Sequence, residues 1–144
     1  MTEKRCKCLC GAVNFKVSLP EPKFDACHCS MCRRWASGPL LAVHAAIDSI
    51  EGGDNITSYP SSEWAERAFC KTCGTNLYYK ITAEGPHSGA THVSVGIMDD
   101  ISDMQLGREI FIEEKPAGYA FTDGAKQMTG AEVFAEVTSG SDRE

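Results

Sequence analysis

The chain has 144 residues, 42% of them hydrophobic and 24% charged, enough apolar content for one packed core and too little length for two comfortable ones. Its 14 Lys and Arg against 20 Asp and Glu give a formal charge of −6, a field that repels phosphate backbones and disfavours nucleic acid as a partner. No run approaches the roughly eighteen apolar residues of a membrane span, and the opening MTEKRCKCLC has no apolar segment of the secretory kind, so a cytoplasmic protein with no membrane partner is expected.

Val13, Phe15 and Val17 alternate with Asn14 and Lys16, a period of two that predicts a half-buried strand, and Leu19-Pro20-Glu21-Pro22 ends it. The apolar run Leu40 to Ala46 predicts a second strand, closed by the turn Glu51-Gly52-Gly53-Asp54, and Ile56 to Tyr59 a third. Ala65 to Phe69 leads into Cys70-Lys71-Thr72-Cys73-Gly74, after which Leu77, Tyr79 and Ile81 alternate with Tyr78 and Lys80, giving strand, knuckle, strand. Gly74 suits a tight turn that needs positive φ. His92 to Ile97 and Glu109 to Ile112 are expected as two more strands.

A helix is expected only near the C-terminus, where Thr129 and Glu132 form a capping-box pattern ahead of Val133, Phe134 and Val137. The polar stretch Ser139 to Glu144 is expected to be disordered. Short strands, glycine turns and little helix predict a mainly β, antiparallel domain stapled by metal, spanning residues 1–122, with 123–144 as a tail.

Seven of the eight cysteines cluster as Cys8/Cys10, Cys27/Cys29/Cys32 and Cys70/Cys73, and clustered thiols in a reducing compartment read as metal ligands. Cys70-x-x-Cys73 is half of a structural zinc site, and Cys8-x-Cys10, also followed by glycine, is its natural complement. A thioredoxin-like redox pair is the alternative, but that motif opens a helix beside a βαβ unit, and strand is expected here.

Cys27-His28-Cys29-Ser30-Met31-Cys32 offers three thiols from one loop and leaves a position vacant. His28, Cys6, water or a substrate thiolate are the alternatives for it. A closed structural site completed by His28 or Cys6 stands against an open one. His28 lies between two ligands and is placed beside the metal rather than on it. His44, His87 and His92 read as packing or surface groups. Arg33 and Arg34 after the cluster, with Lys71 in the other knuckle, are either a carboxylate-binding patch or a solvated charged surface, and Trp35 is expected to be partly buried. Cys6 is a spare ligand or an exposed thiol.

The runs Cys8-Leu9-Cys10-Gly11-Ala12-Val13, Cys27-His28-Cys29-Ser30-Met31-Cys32-Arg33 and Phe69-Cys70-Lys71-Thr72-Cys73-Gly74-Thr75 closely resemble the glutathione-dependent formaldehyde-activating enzyme family, which also includes centromere protein V. Val93 to Asp99 and Ile110 to Pro116 are similar to that family's last strands. The resemblance implies a mostly antiparallel β fold and two zinc ions per chain. Cys8, Cys10, Cys70 and Cys73 would hold a structural zinc, and Cys27, Cys29 and Cys32 a second, weaker one where the chemistry occurs.

By the same resemblance the partners are a small thiol such as glutathione and a small aldehyde such as formaldehyde, joined by a carbon–sulfur lyase. The alternatives are a non-catalytic zinc domain that binds a protein or thiol, and a cysteine–zinc redox sensor.

Overall fold

The structure, a computed structural model, describes residues 1–122 and 124–138. The expected disorder of Ser139 to Glu144 lies outside the described residues. In chain order the first strands are β1 (Thr2–Lys7), β2 (Asn14–Leu19), β3 (Lys23–Cys27), β4 (Leu40–His44), β5 (Ala46–Glu51) and β6 (Ile56–Pro60). They are followed by β7 (Ala65–Cys70), β8 (Asn76–Ile81), β9 (Thr91–Ser94), β10 (Gln105–Ile110) and β11 (Lys126–Met128). Helix α1 spans Ser30–Ala36 and α2 spans Gly130–Thr138. The predominance of strand agrees with the mainly β expectation. The chain divides into two compact units, Met1–Pro22 with Val43–Asp103, and Lys23–Ala42 with Met104 onward.

In the first unit β1, β2 and β5 pair antiparallel in that order, and β6 to β9 form an antiparallel meander. The period-two pattern of β2 is realised: Phe15, Val17 and Leu19 are buried while Asn14, Lys16 and Ser18 are half-exposed. Phe15 presents its ring edge to Tyr78 at 6.3 Å between centroids. β1 buries Lys4, whose ammonium is matched by the Asp103 carboxylate at 2.5 Å and the Asp100 carbonyl at 2.8 Å. The turn after β5 depends on Gly52 (φ 78), where a Cβ would stand 1.9 Å from the Ala12 carbonyl oxygen. No other residue fits that approach.

In the second unit β10 lies between β3 and β11 and runs parallel to both, while β3 and β4 pair antiparallel through α1. The mainly β, antiparallel expectation holds for the other described pairings, and β10 adds these two parallel ones. Ile110, Met128 and Val133 form a buried cluster against which Cys27 and Phe111 pack. Arg108 fastens the outer elements, reaching Asp25 at 2.7 Å and Glu136 of α2 at 3.0 Å.

Three expectations are corrected. Helix is not confined to the C-terminus, because α1 begins inside the three-cysteine run. The strand expected over His92 to Ile97 ends at Ser94 and gives way to a 3₁₀ turn, Val95–Ile97. The one expected over Glu109 to Ile112 ends at Ile110, because Phe111 takes a left-handed conformation (φ 56) that opens another 3₁₀ turn, Ile112–Glu114. The capping box at Thr129 and Glu132 forms as expected, with each side chain accepting from the other's backbone N–H at 2.8 and 3.1 Å.

Candidate metal centres

The first unit brings Cys8, Cys10, Cys70 and Cys73 together. Cys8 and Cys10 follow β1, Cys70 ends β7, and Cys73 closes the turn before β8. All four sulfurs lie within 4.8 Å of one another. Cys8 to Cys10 is 3.6 Å and Cys10 to Cys70 is 3.8 Å. A tetrahedron with metal–sulfur bonds of about 2.3 Å has edges of about 3.8 Å, so the set fits zinc. Both knuckles aim backbone N–H groups at sulfur, Val13 to Cys8 at 3.3 Å and Cys73 to Cys70 at 3.5 Å. These bonds favour the thiolate.

Two residues that sequence analysis passed over complete this site. Asn55 donates from its side-chain amide to the Cys70 sulfur at 3.1 Å and accepts from the Thr72 hydroxyl at 3.1 Å. Thr75 accepts from the Leu9 backbone N–H at 3.0 Å, which leaves its hydroxyl to donate to the Cys73 sulfur at 3.1 Å. That bond, with backbone donors, lowers the Cys73 pKa from 9.0 to about 5. A threonine two residues after the knuckle is the one signal that could have marked this support.

The second unit brings Cys27, Cys29 and Cys32 together, again with all sulfurs within 4.8 Å. The site is built at a strand-to-helix junction. Cys27 is the last residue of β3, Cys29 caps α1 by accepting from the Cys32 N–H at 3.4 Å, and Cys32 lies one turn in, buried. Hydrogen bonds from Cys27 and Cys32 lower the Cys29 pKa, while those with Cys29 and Cys32, and then burial, push Cys27 upward. Three soft sulfurs at this spacing also suit zinc.

Neither amino-acid alternative for the fourth position is present. His28 is buried with Nε2 2.9 Å from the Glu109 carboxylate and Nδ1 2.9 Å from the Tyr119 hydroxyl, so both nitrogens are engaged. With Nε2–H donating to Glu109, a neutral ring accepts at Nδ1 from Tyr119. Cys6 belongs to neither cluster among the described residues. It is 2% exposed rather than a surface thiol, its backbone bridges Met98, and burial followed by the charge of Asp99 raises its pKa to about 12.

Arg33 and Arg34 are exposed in the last turn of α1, where they complement the helix dipole, and Trp35 is half-buried. Lys71 is exposed on the other knuckle. His44 and His92 pack ring to ring at 5.4 Å, and His87 is half-buried.

A β protein that presents one four-thiol cluster and one three-thiol cluster, both able to hold a metal ion, defines a two-centre metal-binding class. The chain belongs to the glutathione-dependent formaldehyde-activating enzyme family, whose profile matches residues 3–114. An uncharacterized lyase of Schizosaccharomyces pombe is 33% identical over 95% of this chain and 98% of its own length. A Halomonas elongata protein named for glutathione-dependent formaldehyde activation is 33% identical over 49% of this chain and 52% of its own. A crystal structure of a Rhodobacter sphaeroides protein superposes with a TM-score of 0.55 at 26% identity, over 71% of this chain and 98% of that one.

Proposed function

We propose that the chain adds a low-molecular-weight thiol of the glutathione kind to a small aldehyde such as formaldehyde, as a carbon–sulfur lyase working at Cys27, Cys29 and Cys32 with zinc. The observation that supports this most strongly is the three-sulfur cluster with no fourth amino-acid ligand among the described residues, in a chain whose other cluster is complete. A closed set excludes substrate, whereas a three-donor set leaves it a place. Zinc bound there would lower the proton affinity of a thiol entering the remaining position.

The bonds balance without a redox partner. The sulfur lone pair forms the C–S bond, the carbonyl π pair moves to oxygen, and oxygen takes the proton the thiol gave up. Three thiolates donate strongly and leave the metal little power to polarise the carbonyl. Most of the rate must therefore come from holding sulfur and carbon together, which the rigid strand-to-helix junction favours.

The test is exchange NMR of glutathione, formaldehyde and their hydroxymethyl adduct. The zinc-loaded protein is expected to accelerate interconversion and a Cys29→Ser variant to leave it at the buffer rate. Equal rates with loaded protein and with buffer would leave a binding domain in place of an enzyme.

A further inference from the structure

We propose that Glu109 is a positioning residue for the three-cysteine cluster, acting through His28 to hold Cys27 and Cys29 at metal-binding spacing and to set the affinity of that centre. This rests on the proposed use of the cluster as a metal site.

The register of β3 and β10 makes the pair. Ala26 lies opposite Glu109 and Cys27 opposite Ile110, and the His28 N–H continues the ladder by donating to the Ile110 carbonyl at 3.0 Å. Side chains alternate across a strand. Cys27 and Ile110 accordingly share the face of the apolar cluster, and His28 and Glu109 meet on the opposite one. Their side chains are 0% and 3% exposed.

Burying a carboxylate against an imidazole costs desolvation, and an apolar pair of similar volume serves stability as well or better. The strands are already held by backbone bonds and by the Ile110 cluster. Stability alone therefore gives no reason for this pair.

The position of His28 supplies one. It is the single residue between two ligands, so anchoring its ring at both nitrogens anchors the peptide on either side of it. Metal-binding histidines are oriented in this way by a carboxylate behind them, and loss of such a carboxylate costs about 10–100-fold in metal affinity. Here the histidine binds no metal itself, and the orientation passes along the chain to the neighbouring sulfurs. Tyr119 closes the outer end, its ring under the Lys115 ammonium at 4.8 Å and edge-on to Phe121 at 6.3 Å.

The test is cobalt substitution of the full chain, following the thiolate-to-cobalt and d–d bands of each centre and the affinity of the second by chelator competition. In Glu109→Ala the second centre is expected to weaken by about 10–100-fold and its d–d bands to shift, while the four-cysteine bands and the far-ultraviolet dichroism stay. Glu109→Gln, whose carbonyl accepts the same bond from Nε2, is expected to recover most of the affinity. Wild-type affinity and bands in Glu109→Ala would overturn the proposal.

Should Glu109→Ala not fold, Tyr119→Phe decides. Loss of the bond at Nδ1 is expected to weaken the second centre about threefold, and an unchanged centre overturns the proposal. A wild-type chain that binds a single cobalt would instead overturn the metal-site reading beneath it.

Discussion

Glu113 and Glu114 are adjacent in sequence, yet each closes the start of a different helix. The Glu113 carboxylate accepts from the Gly130 N–H of α2 at 2.8 Å, and the Glu114 carboxylate accepts from the Ser30 N–H of α1 at 2.9 Å. The 3₁₀ turn that carries them is thus a clasp for both helices of the second unit. Capping by a carboxylate is worth about 1 kcal/mol. Glu113→Ala and Glu114→Ala should each lower stability by about that amount in urea unfolding, and the double variant by about their sum, since they serve separate helices.

The two cysteine clusters should respond differently to loss of one ligand. Cys70 is fully buried in a four-sulfur set. Cys70→Ser should cost about 3 kcal/mol or more, roughly 10 °C in Tm for a chain of this size, together with its bound metal. Cys29→Ser should keep the fold, lose the other metal and abolish thiol–aldehyde exchange. Metal analysis and thermal unfolding of the two variants, side by side, check this.

What the sequence made legible follows from where each signal is local. The strands around Phe15 and Leu77 announce themselves by alternation, and the cysteine spacings announce both clusters. β1 was missed because its inward Lys4 looks like surface until Asp103, 99 residues on, is seen to neutralise it. β3 was missed likewise, since Asp25 is matched by Arg108, 83 residues on. α1 has no apolar periodicity in seven residues, and its cap is a cysteine sulfur rather than a hydroxyl or carboxylate. The role of Glu109 was invisible because its partner His28 is 81 residues away.

The start of α2 should be acid-sensitive. Bonds from the Thr129 backbone N–H and the Thr129 side chain hold the Glu132 carboxyl below its ordinary 4.5. A depressed carboxyl favours the folded form when ionised, so its contribution is complete above pH 4.5 and is lost as pH falls through the lower folded value. Amide exchange at Thr129 and Glu132 should quicken across that window in the wild type and show no such step in Glu132→Gln.

Cys6 should be chemically silent. Burial and the neighbouring Asp99 raise its pKa to about 12, which leaves almost no thiolate at neutral pH. Alkylation of the metal-loaded native protein followed by mass spectrometry should leave Cys6 unmodified, and unfolding in guanidinium should expose it. Rapid native labelling of Cys6 would contradict its burial.

The four-cysteine cluster joins Cys10 to Cys70 across 60 residues of chain. A metal held there ties that length into a ring. Closing such a ring removes about 4 kcal/mol of conformational entropy from the denatured chain. Unlike a disulfide, this tie opens to acid or a chelator rather than to a reductant. The unfolded protein therefore has two topologies, a loop with tails when metal is retained and a linear coil when it is stripped, and its hydrodynamic radius in denaturant should report which one is present.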